Sequence, residues 1–400
     1  MSEQQGADVR VLLLTGKGGV GKTTLAAATA AGAARRGLRT LVISTDHAHS
    51  LGDAFGVAVG TAPTPVAELL WVQHVSTQQR FEESWLTVQG YLRSVLDAAG
   101  VDPMSAEELT VLPGAEEVLA LLELRRQVRS GEYDVVVVDC APTAETLRLL
   151  ALPEALNWYM DRIFPANRRL VSALRPVLSR AAGVPMPQDA VFEAVAALHR
   201  DLADLHDLLT GKNASVRLVL TPERVVLAEA RRTYTSLALF GYAVDGVVAN
   251  RVFPGEEGDG WLEGWVRAQR VVLQEVEESF ADLPVWRSAY RAEEPTGVPA
   301  LLALGDDVYG DDDPLALPTG PEPFRLERDG TDAELVLSLP LTARSDIDLA
   351  RHADDLIVTV GSYRRVLTLP TALRGAEVAG ARLRDGSLRV RLRPAEGAAG

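Results

Sequence analysis

The sequence predicts an α/β protein with a mainly parallel sheet and helical insertions, followed by a C-terminal all-β sandwich domain. The first 150 residues alternate short β-branched runs with stretches of helical periodicity, which is typical of βαβ units around a parallel sheet. Buried-type runs resume at residues 216–220 and 244–248, on either side of a helical stretch at 223–240. After residue 324 the apolar period becomes two, which indicates antiparallel strands.

The first domain, residues 1–308, opens with three strands and carries two helical insertions. We expect the opening strands at residues 9–15, 39–45 and 133–139 and an alanine-rich helix at 24–35. The insertions are expected at about residues 78–98 and 152–209. In the second insertion, apolar positions such as Leu170, Leu174 and Leu178 recur at helix spacing.

A linker separates this domain from the second one. The composition changes at Gly305-Asp306-Asp307, and residues 309–323 are acidic and rich in proline, which predicts a turn-rich linker. The β domain then covers residues 324–394, and residues 395–400 are expected to fray. Within it, Asp385-Gly386 predicts a two-residue hairpin, because a type I′ turn needs positive φ at both central positions. Strands are expected at residues 334–339, 356–360, 366–369 and 387–392.

Composition limits the classes of function. No stretch approaches the twenty apolar residues of a membrane span. The formal charge of −15 disfavours binding to nucleic acid or to an anionic membrane. The single cysteine, Cys140, excludes an internal disulfide and any zinc site built from several thiolates, and we therefore expect a reducing cytoplasm.

A glycine-rich segment carries the main functional signal. Residues 16–23 fit the pattern G-x-x-x-x-G-K-[ST] between a predicted strand and a predicted helix, which is the arrangement of a P-loop NTPase. Glycines allow successive backbone N–H groups to face phosphate oxygens, and the helix N-terminus adds its dipole. Lys22 is expected to reach the β- and γ-phosphates of ATP, and the Thr23 hydroxyl to ligate Mg²⁺. The residues expected to bind the nucleotide phosphates are Gly16, Gly18, Gly19, Val20, Gly21, Lys22, Thr23 and Thr24.

Lys17 distinguishes this loop from most others of its kind. With the residues that follow, it forms the sequence K-G-G-x-G-K-T, which resembles the deviant Walker A loop of dimeric switch ATPases. The resemblance implies a homodimer in which Lys17 crosses the interface and neutralises charge on the partner's ATP. Its physical logic is that of an arginine finger.

Two carboxylates follow predicted strands at the edge where ligands bind in parallel sheets. Asp46 follows the strand at 39–45 and could orient the attacking water, or it could cap a helix. Asp139 ends the strand at 133–139, where a Walker B carboxylate holds Mg²⁺ through water. His47 and His49 have no companion cysteines, so they form a poor zinc ligand set.

Three motifs together resemble the ArsA/GET family, which comprises the arsenite-pump ATPase and the ATPase that targets tail-anchored membrane proteins. They are D-x-A-H-S-L at residues 46–51, D-x-A-P-T-x-x-T-L-R-L-L at 139–150 and V-A-N-R at 248–251, and the likeness covers about residues 8–308. The resemblance implies that Asp46 acts on the attacking water, that Asp139 serves the Mg²⁺ site and that Asn250 reads adenine. Asparagine suits adenine because its amide both donates and accepts hydrogen bonds.

Some residues depart from the family pattern. The family usually has proline where this chain has His47, and glycine-histidine where it has Ala144-Glu145. These changes fall in the two switch segments, so the coupling of hydrolysis to opening and closing of a dimer is left open. A nucleotide-binding regulator without turnover therefore stays an alternative, as does a ParA/MinD-like scaffolding ATPase.

The sequence favours capture or delivery of hydrophobic clients as the role of the ATPase, with the arsenite pump as the alternative. Arsenite is captured by several thiolates, and this chain has only Cys140. In the targeting branch, the insertion at residues 152–209 would form a groove for a hydrophobic client helix, although its apolar residues could equally form a closed core. The β domain resembles an α-crystallin (small heat-shock) sandwich over about residues 324–393, which implies a chaperone-like surface joined to an ATP switch.

Overall fold

The fold is taken from a computed structural model, which describes residues 9–45, 50–75, 115–140, 189–255, 262–318, 322–329, 332–352, 354–370, 373 and 375–393. The chain divides into two compact units. One unit lies within Met1–His74, Gln127–Leu147 and Leu209–Gly400. The other lies within Val75–Arg126 and Arg148–Leu208.

A large sheet forms the centre of the first unit. In the described residues it has eight strands in the order β3-β4-β2-β5-β1-β6-β7-β8, and all neighbours are parallel except β3 and β4. The inner strands are buried along their whole length, as expected where helices cover both faces of a parallel sheet. The strands are β1 (Arg10–Thr15), β2 (Thr40–Ser44), β3 (Thr64–Ala67), β4 (Leu70–His74), β5 (Val135–Asp139), β6 (Ala214–Leu220), β7 (Val244–Val252) and β8 (Val285–Ala289).

Helices connect these strands. The helix that follows β1 is rich in alanine, which has the highest helix propensity, and most of its residues are buried. The helices of the described segments are α1 (Lys22–Arg35), α2 (Ser50–Phe55), α3 (Ala115–Ser130), α4 (Asp189–Thr210), α5 (Arg224–Leu239), α6 (Glu263–Ser279) and α7 (Val298–Tyr309). None of these helices is both long enough and apolar enough to cross a bilayer.

The mainly parallel sheet predicted from the sequence is confirmed, with shifted ends and added strands. Strand β7 continues to Val252, so it is longer than the predicted run at residues 244–248. Strands β3, β4 and β8 were not predicted, because they are short and only partly hydrophobic. The first predicted insertion, at residues 78–98, lies outside the described residues. Most of the second, predicted at 152–209, also lies outside them, and its described end forms helix α4.

The second unit includes the larger parts of α3 and α4. Leu121 and Leu124 are buried on α3, as is Leu205 on α4. Arg125 forms ion pairs with Asp201 (2.8 Å) and Asp204 (2.6 Å), which lie one helical turn apart.

The C-terminal part of the chain forms two antiparallel sheets around their own core, which confirms the predicted β domain. One sheet has the order β14-β15-β10-β9, and the other has the order β11-β12-β13. Strand residues alternate between buried and exposed positions, and the buried leucines and valines of both sheets meet between them. The strands are β9 (Phe324–Asp329), β10 (Asp332–Ser338), β11 (Ile347–His352), β12 (Asp355–Val360), β13 (Tyr363–Thr368), β14 (Glu377–Arg384) and β15 (Ser387–Arg393).

The predicted hairpin turn is present at Asp385-Gly386. Both residues have positive φ, 47° and 66°, and Arg384 pairs with Ser387 across the turn. The turn therefore has the backbone geometry that the Asp-Gly pair indicated.

The β domain packs against the last turn of α5. Leu239 at the end of that helix is fully buried and belongs to the core of the β domain. Arg365 on β13 donates a hydrogen bond to the Leu239 carbonyl oxygen (2.6 Å), so it caps the helix C-terminus. The Thr235 hydroxyl donates to the Pro340 carbonyl oxygen (2.7 Å).

Hydrogen bonds anchor the start of the segment between the two domains to the sheet. Helix α7 runs to Tyr309, so Asp306 and Asp307, whose composition suggested the start of a linker, lie in its last turns. Beyond the helix, Arg217 donates to the Pro314 carbonyl oxygen (2.7 Å), and Arg10 donates to the Leu315 carbonyl oxygen (3.0 Å). The start of the linker is therefore bound to strands β1 and β6 of the sheet.

A buried charge cluster provides this anchor. Asp245 accepts hydrogen bonds from Arg10 (3.1 Å), from Arg217 (2.9 and 3.1 Å) and from Ser215 (2.7 Å). Burial lowers the pKa of Arg10, and the attraction of Asp245 only partly opposes this. Burial acts on Arg217 in the same direction, but the attraction of Tyr309 and Asp245 outweighs it and raises its pKa. Arginine stays protonated at neutral pH, so the cluster holds two positive charges that Asp245 compensates.

Candidate nucleotide-binding site

The glycine-rich loop joins β1 to α1 at the carboxyl edge of the sheet, beside the central strands β5 and β6. Gly16 begins it with a φ of 154°, and a Cβ added there would lie 2.0 Å from the Val219 carbonyl oxygen on β6. Only glycine fits this close approach. Gly18 and Gly19 at the tip of the loop are exposed.

The N-terminus of α1 is available to an anion. Gly21 is the N-cap residue, with a φ of 96°, and no side chain caps the helix. Its first turn contains no acidic residue, and the helix hydrogen bonds begin with Leu25 N donating to the Gly21 carbonyl oxygen (3.1 Å). The N–H groups of the first turn, which include those of Lys22, Thr23 and Thr24, have no intrahelical acceptor, so they favour a bound anion.

The two lysines of the loop lie in different surroundings. Lys22 is buried, and its Nζ donates to the Lys17 carbonyl oxygen (3.1 Å), which holds the ammonium group against the loop. The side chain of Lys17 is partly exposed. A phosphate group in the loop could replace the carbonyl oxygen as the partner of Lys22, because a charge-assisted hydrogen bond is the stronger one.

Oxygen atoms from strands β2 and β5 and from α1 meet at Asp139. The Thr23 hydroxyl donates to Asp139 Oδ2 (2.8 Å), and the Ser44 hydroxyl donates to the same oxygen (3.1 Å). Asp139 is fully buried at the end of β5, where it lies opposite Ser44 on β2 and Leu14 on β1. Hydroxyl and carboxylate oxygens are the ligands that Mg²⁺ prefers, so these residues fit a magnesium ion beside the phosphate loop.

Ser44 was not singled out from the sequence. It ends a buried strand at the edge that carries Asp139, and that position was the available signal. The structure thus adds one hydroxyl to the predicted pair of Thr23 and Asp139.

Asn250 lies near the end of β7 and contacts the loop directly. Its Nδ2 donates to the Val20 carbonyl oxygen (2.8 Å), and its Oδ1 accepts a hydrogen bond from the Arg251 backbone N–H (2.9 Å). The residue expected to read adenine is therefore beside the phosphate loop and is bonded to its backbone.

Cys140 follows Asp139 and is buried. Burial and the negative charge of Asp139 raise the pKa of its thiol, and Lys22 only partly opposes this. A protonated, enclosed thiol is a poor ligand for a soft metal or metalloid, because the thiolate is the ligand. Five other residues that the sequence analysis named in the switch segments lie outside the described residues: Asp46, His47, His49, Ala144 and Glu145.

This fold and this loop define a P-loop nucleotide-binding protein with a mainly parallel sheet. The chain belongs to the ArsA ATPase family: residues 9–310 match the family model described as anion-transporting ATPase. Residues 330–392 match a second model, the HSP20-like domain found in ArsA, which agrees with the two-sheet C-terminal domain.

Similar proteins cover almost the whole chain. A protein of Prosthecochloris vibrioformis, provisionally named as an arsenical pump-driving ATPase, is 39% identical over 388 residues, which are 96% of this chain and 95% of the relative. An uncharacterized protein of Streptomyces coelicolor is 41% identical over 397 residues, covering 96% and 98% of the two chains. A protein of Aquifex aeolicus, with the same provisional name as the first, is 32% identical over 381 residues, covering 92% and 96%.

Proposed function

We propose that this protein hydrolyses ATP to ADP and phosphate at the loop formed by residues 16–23. The observation that carries the proposal is the convergence of Lys22, Thr23 and Asp139 beside the uncapped N-terminus of α1. Backbone N–H groups and Lys22 bind the phosphate oxygens, and Asp46 orients the attacking water. Family membership supports the same reaction.

Thr23 and Asp139 are the residues that would hold Mg²⁺, with Ser44 orienting the carboxylate. When bound, the ion supplies positive charge that neutralises the phosphate oxygens. The existing hydrogen bond from Thr23 to Asp139 keeps both oxygens in one place. Removing either oxygen is therefore expected to weaken magnesium-dependent binding of ATP more than binding of ATP without metal.

Lys17 serves a second copy of the chain in this proposal. Its side chain is partly exposed, and only its carbonyl oxygen is used by Lys22. Lys22 serves the phosphates of its own chain in this proposal, so the partly exposed Lys17 is left to act on a partner's ATP. The active form is then a homodimer in which each copy completes the other's site.

Phosphate release from Mg-ATP tests the activity directly. The wild-type chain is expected to turn over, Lys22→Ala to lose ATP binding, and Lys17→Ala to bind ATP while its turnover falls by roughly 10³-fold or more. Light scattering with a non-hydrolysable ATP analogue tests the dimer. Near-normal turnover of Lys17→Ala would remove the trans role of that lysine, and absence of Mg-ATP binding to the wild type would remove the whole proposal.

We infer that ATP hydrolysis is coupled to the capture or delivery of hydrophobic clients. Two features support this direction. The first is the HSP20-like domain, which resembles small heat-shock proteins and so implies a chaperone-like surface for apolar segments. The second is that this domain is joined to the ATPase part through α5 and the anchored linker. The client would be an apolar helix of a membrane protein, held by the insertion that the sequence predicts at residues 152–209.

Arsenite is the second candidate substrate, because the names of relatives point to an arsenical pump. The chain itself argues against a metalloid site of the thiolate type. Its single cysteine is Cys140, which is buried and has a raised thiol pKa. Any arsenite recognition would have to use oxygen ligands, which bind this soft metalloid weakly.

Two measurements distinguish the candidates. A transmembrane peptide should be retained by the purified chain in a pull-down, and a scrambled peptide of the same length with charges inserted should not. Arsenite should leave ATP turnover unchanged in both the wild type and Cys140→Ala. Arsenite stimulation that disappears in Cys140→Ala would favour the pump-driving role instead.

A further inference from the structure

Asn250 is held in a single orientation between the phosphate loop and the end of β7. A carbonyl oxygen only accepts hydrogen bonds and a backbone N–H only donates, so the Val20 oxygen must face the amide nitrogen and the Arg251 N–H must face the amide oxygen. The two bonds use one donor and one acceptor of an amide group that has two of each. The side chain can therefore contact the loop and a base at the same time.

The contact leaves no space between Asn250 and the loop. A Cβ added at Gly21 would lie 2.3 Å from Asn250 Nδ2. Gly21 is also the N-cap of α1, so Asn250 packs against the point where the loop becomes the helix. Val20, whose carbonyl oxygen receives the bond, is itself buried.

The end of β7 is a fixed support rather than a free loop. Arg251 has a φ of 58°, a left-handed conformation that a residue other than glycine keeps only where its surroundings enforce it. Gln269 on α6 supplies that enforcement: its Nε2 donates to the Arg251 carbonyl oxygen (3.0 Å), and its Oε1 accepts from the Phe253 N–H (2.7 Å). The position of Asn250 is thus set by α6 and β7 together.

We propose that Asn250 is a positioning residue for the phosphates, holding Val20 and Gly21 in the conformation that binds them. The inference rests on the proposed nucleotide site and adds a role that does not depend on the base. A residue that only reads adenine would affect ligands that contain adenine. A residue that holds the loop also affects a ligand made of phosphates alone.

Magnesium tripolyphosphate is the probe, because it has the charge and shape of the ATP phosphates without base or ribose. Calorimetry on the full-length chain would compare it with Mg-ATP for the wild type and Asn250→Leu. Leucine keeps the branched shape of asparagine and adds no charge, whereas an aspartate would repel the phosphates by itself. Asn250→Leu is expected to lose roughly tenfold in affinity for both ligands, since one hydrogen bond is removed and the Val20 oxygen loses its partner.

Asn250→Ala removes the same hydrogen bond with a smaller side chain, and it keeps the proposal testable if Asn250→Leu does not fold. Its tripolyphosphate affinity should fall by a similar factor, because the Val20 oxygen again loses its partner. Gln73→Leu is the control, because the buried amide of Gln73 on β4 also donates one hydrogen bond to a backbone carbonyl oxygen, that of Thr61 (2.8 Å). It should lower the melting temperature without any change in tripolyphosphate affinity.

The outcomes separate the two roles. Unchanged tripolyphosphate affinity in Asn250→Leu, whether or not Mg-ATP binding falls, would overturn the positioning role. A fall for tripolyphosphate in both Asn250→Leu and Asn250→Ala, with wild-type affinity in Gln73→Leu, would support it. If the wild type binds neither ligand, the proposed function itself fails, which is a different result.

Discussion

Replacing Asp245 with alanine should destabilise the protein strongly, because Asp245 is the carboxylate that compensates two buried guanidinium groups. It accepts four hydrogen bonds, three from Arg10 and Arg217 and one from Ser215. The side chains of Asp245 and Arg217 are 3% and 1% exposed, so water cannot replace the lost partner. Asp245→Ala therefore leaves positive charge in the interior without compensation.

The size of the effect follows from the burial. Removing one partner of a buried ion pair costs about 3–5 kcal/mol, and we expect a value in that range. At about 2.1 cal/mol/K per residue, each kcal/mol corresponds to roughly 1.5 °C in a domain of about 300 residues, so the melting temperature should fall by about 5–8 °C. The matched control is Asp306→Ala, which breaks an exposed pair with Arg35 whose side chains are about half exposed. An exposed pair contributes less than about 1 kcal/mol.

Thermal unfolding followed by circular dichroism measures both variants. Limited proteolysis adds a local readout, since Arg10 and Arg217 also bind the carbonyl oxygens of Leu315 and Pro314. Asp245→Ala should be cleaved in the linker at 309–323 faster than the wild type, at temperatures where the sheet is still folded. A melting temperature equal to that of Asp306→Ala would refute the assignment of Asp245 as the central acceptor of this cluster.

Three further predictions concern the loop, the β domain and the thiol. Gly16→Ala should lower Mg-ATP affinity by more than roughly tenfold in calorimetry. The added Cβ would lie 2.0 Å from the Val219 carbonyl oxygen, and this overlap would cost about 1–3 kcal/mol of strain. Wild-type affinity would contradict this prediction. Arg365→Met should lower the free energy of unfolding in urea by about 1–3 kcal/mol, because the hydrogen bond to the Leu239 carbonyl oxygen is lost. The control Arg364→Met, at an exposed position, should leave the free energy of unfolding unchanged. The raised pKa of Cys140 keeps its thiol protonated at neutral pH. The folded chain should therefore react with iodoacetamide more than roughly tenfold slower than the urea-unfolded chain. Equal rates would count against the enclosure of the thiol.

The phosphate loop and the β hairpin could be predicted from the sequence because each depends on a few neighbouring residues. The loop needs glycine at positions where the backbone approaches other atoms, and Gly16 and Gly21 occupy such positions. The hairpin needs positive φ at two successive residues, which Asp385 and Gly386 supply. Local rules of this kind can be read directly from a short pattern.

The linker and the surroundings of Asp139 could not be predicted in the same way, since their contacts join distant parts of the chain. Arg10 and Asp245 are 235 residues apart, and Arg217 and Pro314 are 97 apart. The acidic and proline-rich composition indicated a turn-rich linker, and nothing local indicates that two buried arginines hold it. Ser44 likewise becomes a partner of Asp139 only through the pairing of β2 with β5.

Helix α5 connects these observations, because it lines a cavity together with the phosphate loop and ends in the core of the β domain. Its first half provides Val226, Glu229 and Ala230 to a small cavity that Gly16 and Lys17 also line. Its last turn ends in Leu239, inside the β-domain core. The β domain is therefore packed on the same helix that borders the phosphate loop, so the two parts of the chain share one structural element.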